Sequence, residues 1–156
     1  MRGKIYQVGE VMKIEFRKCE YNDLEFILHL KELCFKWYIE VIYGWDINIQ
    51  KELTKNELNE HINDMKIITL DNKDIGITTF YEENDAFVVG MIMIDPNYQR
   101  LGIATNIIKE YISIAKNKNK KIILKTYKEN PARKLYERLG FKIYNEDKTH
   151  VHMVIE

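Results

Sequence analysis

Eleven consecutive residues, Ile94-Asp95-Pro96-Asn97-Tyr98-Gln99-Arg100-Leu101-Gly102-Ile103-Ala104, have the makings of an anion site. An apolar strand pattern ends at Ile94, an amphipathic helix pattern begins near Ile103, and a glycine lies between them. Backbone N–H groups in the first turn of a helix have no intrahelical partner, and the helix dipole adds partial positive charge there. Gly102 lets the main chain approach a bulky phosphate closely, and Ala104 is small enough to keep a second approach open. The Gln-x-x-Gly-x-Ala spacing therefore suits a phosphate ester. A second stretch, Phe35 to Asp46, is dense in aromatic residues. It suits an aromatic wall to which Glu40 or Asp46 draws a cation. Tyr43 and Trp45 are the substrate-binding candidates there, whereas Phe35, Trp37 and Ile42 are expected in the core.

The elements that position these residues can be read from periodicity. Ile14 to Lys18 alternates as a strand. Asn22 or Asp23 can cap a helix carrying Leu24, Ile27, Leu28, Cys34, Phe35 and Tyr38. A second helix is expected over Ile49 to Ile62. Met65 to Leu70, Ile75 to Glu82 and Ala86 to Asp95 read as three antiparallel strands, separated by Asp71-Asn72-Lys73-Asp74 and by Asn84-Asp85. Ile103, Ile107, Ile108, Tyr111, Ile112 and Ala115 share one helix face, and Ile122 to Leu124 is an apolar strand. Asn130, Pro131 and Gly140 fit the N-cap, the first helical position and the position after the C-cap of another helix. Phe141 to Tyr144 and Val151 to Ile155 close the chain as strands around the turn Asn145 to Lys148. This order implies an α+β fold: a mixed, mostly antiparallel central sheet of about seven strands with helices on both faces. Residues 1–11 are read as an N-terminal extension to a single domain over 12–156. The competing possibility is an edge strand at Lys4 to Val8.

Composition narrows the partners. The formal net charge is +0, so the basic excess that drives nonspecific nucleic-acid binding is missing, and a nucleic-acid partner is not expected. The longest apolar run, Phe87 to Ile94, is too short to span a bilayer, and no signal-peptide pattern follows Met1. No membrane association is expected, and the protein is assigned to the cytoplasm. Cys19 and Cys34 form no CxxC pair and no Cys/His cluster, so both read as reduced thiols with no metal site. The lysines 116, 118, 120 and 121 suit a helix end, where cations complement the dipole.

The chain resembles the GNAT superfamily of N-acetyltransferases. The resemblance is carried by Ile92-Met-Ile-Asp-Pro-x-Tyr-Gln-x-x-Gly-x-Ala104, followed after a helix and a strand by Asn130-Pro-Ala-x-x-x-Tyr136-x-x-x-Gly140-Phe141. It extends more loosely from Ile14 to Ile155 through the order of elements. It implies an acetyl-CoA cosubstrate, with Gln99, Arg100, Leu101, Gly102, Ile103, Ala104 and Thr105 around the pyrophosphate. It also implies main-chain bonds from Ile92 and Ile94 to pantetheine, and a contact from Asn130 to the same arm. Tyr136 is similar to the tyrosine that, in that family, lies beside the thioester sulfur and protonates the departing CoA thiolate; the competing reading is a core tyrosine on the face of Leu135 and Leu139. The aromatic stretch falls where the family builds its acceptor pocket.

The implied reaction is direct attack of a primary amine on the thioester. Freeing the lone pair of a lysine-like amine at pH 7 costs ~4.6 kcal/mol, so a base, a water relay or desolvation must help. Some family members carry a glutamate five residues before the asparagine. This chain has Lys125 there, which leaves Glu82 as the first candidate base and Glu83, His150 and His152 behind it. The alternative is a noncatalytic acyl-CoA-binding or sensing domain of the same fold. The acceptor amine is open, as is the choice between monomer and homodimer.

Overall fold

The computed structural model describes residues 3–7 and 10–156, with side chains from Lys13 onward. The described residues form eight strands: β1 (Gly3–Gln7), β2 (Glu10–Lys18), β3 (Met65–Leu70), β4 (Lys73–Glu83), β5 (Ala86–Ile94), β6 (Lys121–Tyr127), β7 (Lys142–Glu146) and β8 (His150–Ile155). Four α-helices accompany them: α1 (Leu24–Ile42), α2 (Ile47–His61), α3 (Ile103–Asn117) and α4 (Ala132–Arg138). The strand order is β1-β2-β3-β4-β5-β6-β8-β7. β5 and β6 pair in parallel, while β1–β2, β2–β3, β3–β4, β6–β8 and β7–β8 pair antiparallel. This is the expected mixed, mostly antiparallel α+β sheet.

It has one strand more than the seven expected. β1 runs antiparallel to β2 from Gly3↔Ile14 to Gln7↔Glu10, so Lys4 to Gln7 forms the edge strand that had been the less favoured possibility. Val8 lies outside the described residues. The turn after β3 is also shorter than expected. Asp71 (φ 48°) and Asn72 (φ 69°) are both left-handed, as a two-residue hairpin turn requires, so Lys73 and Asp74 belong to β4. Asp74 then takes part in a network that no local pattern reveals. Arg17 bonds to it through Nε (3.1 Å) and Nη2 (2.8 Å), and to Asp23 through Nη1 (3.0 Å) and Nη2 (2.8 Å). Asp23 does not cap α1 with its side chain. Its carboxylate accepts from Arg17 and from the Glu20 N–H at 2.8 Å.

The chain divides into two compact units, Met1–Thr79 with Met91–Ile103, and Phe80–Gly90 with Ala104–Glu156. In the first, Ile27 and Leu30 of α1, Leu58 of α2, Met65 and Ile67 of β3, Ile77 of β4 and Met93 of β5 form one buried cluster. Each such side chain contributes about 1.5–3 kcal/mol by leaving water. Lys31 is buried beside them, its ammonium donating to Thr54 Oγ1 (2.9 Å) and paired with Glu57 (3.0 Å), which ties α1 to α2. In the second unit, Phe80 stacks on Phe87 and on Tyr111 of α3, with ring centroids 5.1 and 3.9 Å apart. Ile107, Ile108 and Ala115 complete the buried face of α3, as its periodicity implied.

Candidate functional site

β5 carries the first part of the site. Its parallel register on β6 runs from Ala86↔Lys121 to Val89↔Leu124, and β5 itself continues to Ile94. The Asp95 N–H donates to the Ile75 carbonyl at 2.8 Å. Strand alternation then turns the main-chain groups of Ile92 and Ile94 to the opposite edge. Gly76 of β4 permits the close approach here, since a Cβ at that position would stand 2.5 Å from the Met93 carbonyl oxygen. The Ile94 carbonyl is already engaged: it accepts from Gln99 Nε2 at 2.8 Å and from Cys34 Sγ at 3.3 Å. From the sequence Cys34 was read only as a reduced thiol on the first helix. Its thiol is pushed up to about 11 by burial first and by the nearby Asp95 charge second, so it stays a protonated donor.

The loop after β5 is built by local hydrogen bonding and backbone dihedrals. Asp95 Oδ1 accepts from the Asn97 N–H at 2.9 Å, setting a single 3-10 turn over Pro96–Tyr98. Arg100 (φ 65°) and Gly102 (φ 82°) are left-handed, and α3 opens at Ile103. Gly102 is thus required first by its dihedral. A Cβ there would meet nothing within 4 Å, so the space above it is open to a ligand. Ile103 is buried and anchors the first turn, Ala104 and Thr105 are half-buried, and Gln99 and Arg100 are exposed. Gln99 acts through its amide as a brace between the loop and the end of β5. Together these features meet what a pyrophosphate needs: free N–H groups, a helix N-terminus and no side chain in the way.

In the second unit, Asn130 opens α4 as the sequence implies. Its Oδ1 accepts from the Ala132 N–H at 3.0 Å, and its Nδ2 donates to Thr126 Oγ1 of β6 at 3.1 Å. Gly140 closes the helix with φ 105°. Tyr136 lies on the buried face, edge-on to Phe141 with ring centroids 6.0 Å apart. Burial pushes its phenol up to about 12.

Several sequence candidates are placed elsewhere. Glu82 closes β4 at the turn into β5, where Lys120 and Lys118 hold its carboxylate. The Lys120 bond above all keeps it below the usual carboxylate range. Glu82 thus stands beside the first residues of β5, a strand of nine residues from Ala86 to Ile94. His150 and His152 gather around Asp147, a partner the sequence did not suggest. Asp147 Oδ2 meets His152 Nε2 at 3.1 Å, and its Oδ1 takes the N–H groups of Thr149 and His150 at 2.9 and 2.7 Å. Trp37, expected in the core, is 64 % exposed, and Tyr43 is exposed just beyond the end of α1. Trp45 carries the Lys36 ammonium 5.9 Å from its ring centroid. Asp46 is used as the cap of α2, accepting from Asn48 and Ile49.

Residues 63–143 match the acetyltransferase (GNAT) domain, and the chain belongs to that family. The fold is similar to that of the PaiA N-acetyltransferase of Thermoplasma acidophilum, solved in complex with coenzyme A, with a TM-score of 0.74 and 22 % identity over 92 % of this chain and 98 % of that one. It is also similar to the ribosomal-protein-S18-alanine N-acetyltransferase of Escherichia coli (TM-score 0.64, 19 % identity, 91 % and 92 % covered). An N-acetyltransferase of Staphylococcus aureus Mu50 aligns with a TM-score of 0.68 at 15 % identity, over 90 % and 100 % of the two chains. No functionally curated protein matches the sequence. No helix among the described residues is long and apolar enough to cross a membrane.

Proposed function

We propose that the protein is a cytoplasmic N-acetyltransferase that moves the acetyl group of acetyl-CoA to a primary amine by direct attack on the thioester. The observation that carries this is the loop itself: left-handed Arg100 and Gly102 opening α3, braced by Gln99 to the end of β5. Pyrophosphate lies on the first-turn N–H groups from Ile103 to Thr105. Pantetheine bonds to the Ile92 main chain and the Ile94 N–H, with Asn130 supporting the same arm. The amine nitrogen bonds to the carbonyl carbon, main-chain N–H groups near Ile92 steady the oxyanion, and the C–S bond breaks with its electron pair on sulfur. The ammonium proton leaves to water, with Glu82 the candidate base behind it; desolvation of the amine lowers that cost.

Tyr136 acts on the leaving thiolate. With a phenol near 12 and a thiol of about 8.5, full proton transfer is uphill by about 5 kcal/mol. Tyr136 therefore steadies the thiolate as a hydrogen-bond donor, and water supplies the proton afterwards.

Thiol release from acetyl-CoA against a panel of amines tests the reaction, and calorimetry with Gly102→Val tests the loop. Binding lost in the variant and thiol released with at least one amine is the expected pair of results. Binding without turnover on any amine would leave the noncatalytic acyl-CoA-binding reading in its place.

A further inference from the structure

Burial alternates along β6 and β8: Ile122, Leu124, Thr126, Val151 and Met153 are buried, whereas Lys125, Tyr127, His150 and His152 are partly or fully exposed. The register sets Lys125 opposite His152 and Tyr127 opposite His150, so these four side chains share one accessible face of the sheet. The two histidines are not equivalent. His150 stacks on Tyr127, with ring centroids 4.3 Å apart, and its Nδ1 meets Thr149 Oγ1 at 2.7 Å. His152 is held at one nitrogen only: Nε2 meets Asp147 Oδ2 at 3.1 Å, and Nδ1 has no partner among the described residues. The His152 bond first, and then the Thr149 and His150 N–H groups, hold the Asp147 carboxyl well below the usual carboxylate range. An ionised carboxylate on Nε2 keeps the proton there, which leaves Nδ1 as a lone-pair acceptor.

The parallel pairing of β5 with β6 ends at Val89↔Leu124, and Lys125 is the next residue of β6. Thr126, one further, accepts from Asn130 Nδ2. His152 therefore stands on the neighbouring strand, level with the end of that pairing. Resting on the transferase reading, which brings the pantetheine arm to Asn130, we propose that His152 is the base of the reaction, taking the acceptor's ammonium proton through one water, and that Asp147 is the positioning residue that holds its ring. The freed amine attacks the thioester carbonyl carbon, and the C–S bond breaks with its electron pair on sulfur. The second amine proton passes through water to the thiolate, and the imidazolium returns the first to solvent. Glu82, the rival for this proton, has its carboxylate held by Lys118 and Lys120. The titratable groups facing His152 are Lys125 from β6, Tyr144 from β7 with ring centroids 6.2 Å apart, Asp147 from the turn and His150 from its own strand.

The test follows kcat/KM by thiol release from about pH 6 to pH 10, below the titration of a lysine-like amine. The acceptor is whichever of ethanolamine, hexylamine, glycinamide and spermidine reacts fastest. With a base, the bound ammonium is the reactant and the wild type is expected to show a plateau. Without one only free amine reacts, so kcat/KM climbs about tenfold per pH unit up to the amine's own titration. His152→Gln is expected to lose about a hundredfold at pH 7 and to replace the plateau by that climb, with acetyl-CoA affinity and melting temperature unchanged. Asp147→Asn is expected to lose about tenfold and to move the acid edge of the plateau to lower pH, since the imidazolium loses its carboxylate. His150→Gln keeps the plateau. Imidazole added to His152→Ala should restore part of the rate, a rescue that a structural role for the ring does not allow. A plateau that survives in His152→Gln overturns the proposal, as does one lost in Glu82→Gln instead. Acetyl-CoA bound with no thiol released to any of the four amines overturns the transferase reading, and the base falls with it.

Discussion

The side-chain amide of Gln99 donates to the main-chain carbonyl of Ile94 across 2.8 Å, so the loop that opens α3 is tied back to the strand it leaves. That bond, with the one from Cys34, occupies the Ile94 carbonyl.

Gln99→Ala is expected to weaken acetyl-CoA binding by about fivefold, the equivalent of one hydrogen bond of ~1 kcal/mol. The exposed side chain should matter little to stability. Titration calorimetry against a melting curve separates the two, and an unchanged affinity would show that the brace is dispensable.

Tyr136→Phe is expected to slow acetyl transfer roughly a hundredfold while acetyl-CoA affinity and melting temperature barely move, because a ring of the same shape stays against Phe141. The phenol is raised to about 12, so it remains protonated across the working range. The wild-type rate should therefore show no fall that belongs to Tyr136 up to about pH 10. A Phe variant with near wild-type turnover assigns the tyrosine to packing alone.

Asp23 links folding to acid. Burial by itself would raise its pKa, but the Arg17 guanidinium and the Glu20 N–H outweigh that and hold it below the ordinary value. Its folded value lies below its unfolded value of about 3.9, so its stabilisation is complete above that pH and is lost as the pH falls through the folded value. Asp23→Asn should cost about 1 kcal/mol at pH 7, given the solvent screening of partly exposed Arg17, and should flatten the acid limb of the stability curve. An unchanged acid limb would assign the loss to other carboxylates.

Removal of residues 1–9 strips β1 from β2. The melting temperature is expected to fall by about 4 °C, corresponding to one or two kcal/mol in a chain of this length, with acetyl-CoA affinity retained. A truncated protein as stable as the full chain would make β1 an ornament of the sheet.

What could be read from the sequence followed the physics of each element. The strand Met65 to Leu70 and the caps of α4 stood out because alternation and Asn-Pro spacing are local signals, and the loop from Gln99 to Ala104 stood out for the same reason. β1 did not, since a short edge strand buries too little to impose a pattern. Trp37 was misplaced because the line from Phe26 to Val41 has core periodicity throughout, and sequence does not say where a helix outruns its cover. The Arg17–Asp23–Asp74 network and the histidines around Asp147 depend on strand pairing and turn geometry, which periodicity does not report. The pairing of Glu82 with Lys118 and Lys120 likewise depends on which strand and helix ends meet, which periodicity does not report.

β5 shares four rungs with β6, and its pairing on that edge ends before its last five residues, Gly90 to Ile94. Pantetheine carries two amides along its length, so under the proposed function the coenzyme would take the part of a missing strand at this edge, held by peptide groups that every amino acid possesses. Such a contact is nearly blind to mutation: a different side chain at Ile92 leaves the donor and acceptor where they were. The coenzyme half of the proposed function can thus persist while the sequence drifts, which fits a fold kept at a TM-score of 0.74 with only 22 % identity. Divergence is then concentrated on the acceptor side, where side chains do the choosing, and relatives of this chain should differ in the amine they take long before they differ in the donor.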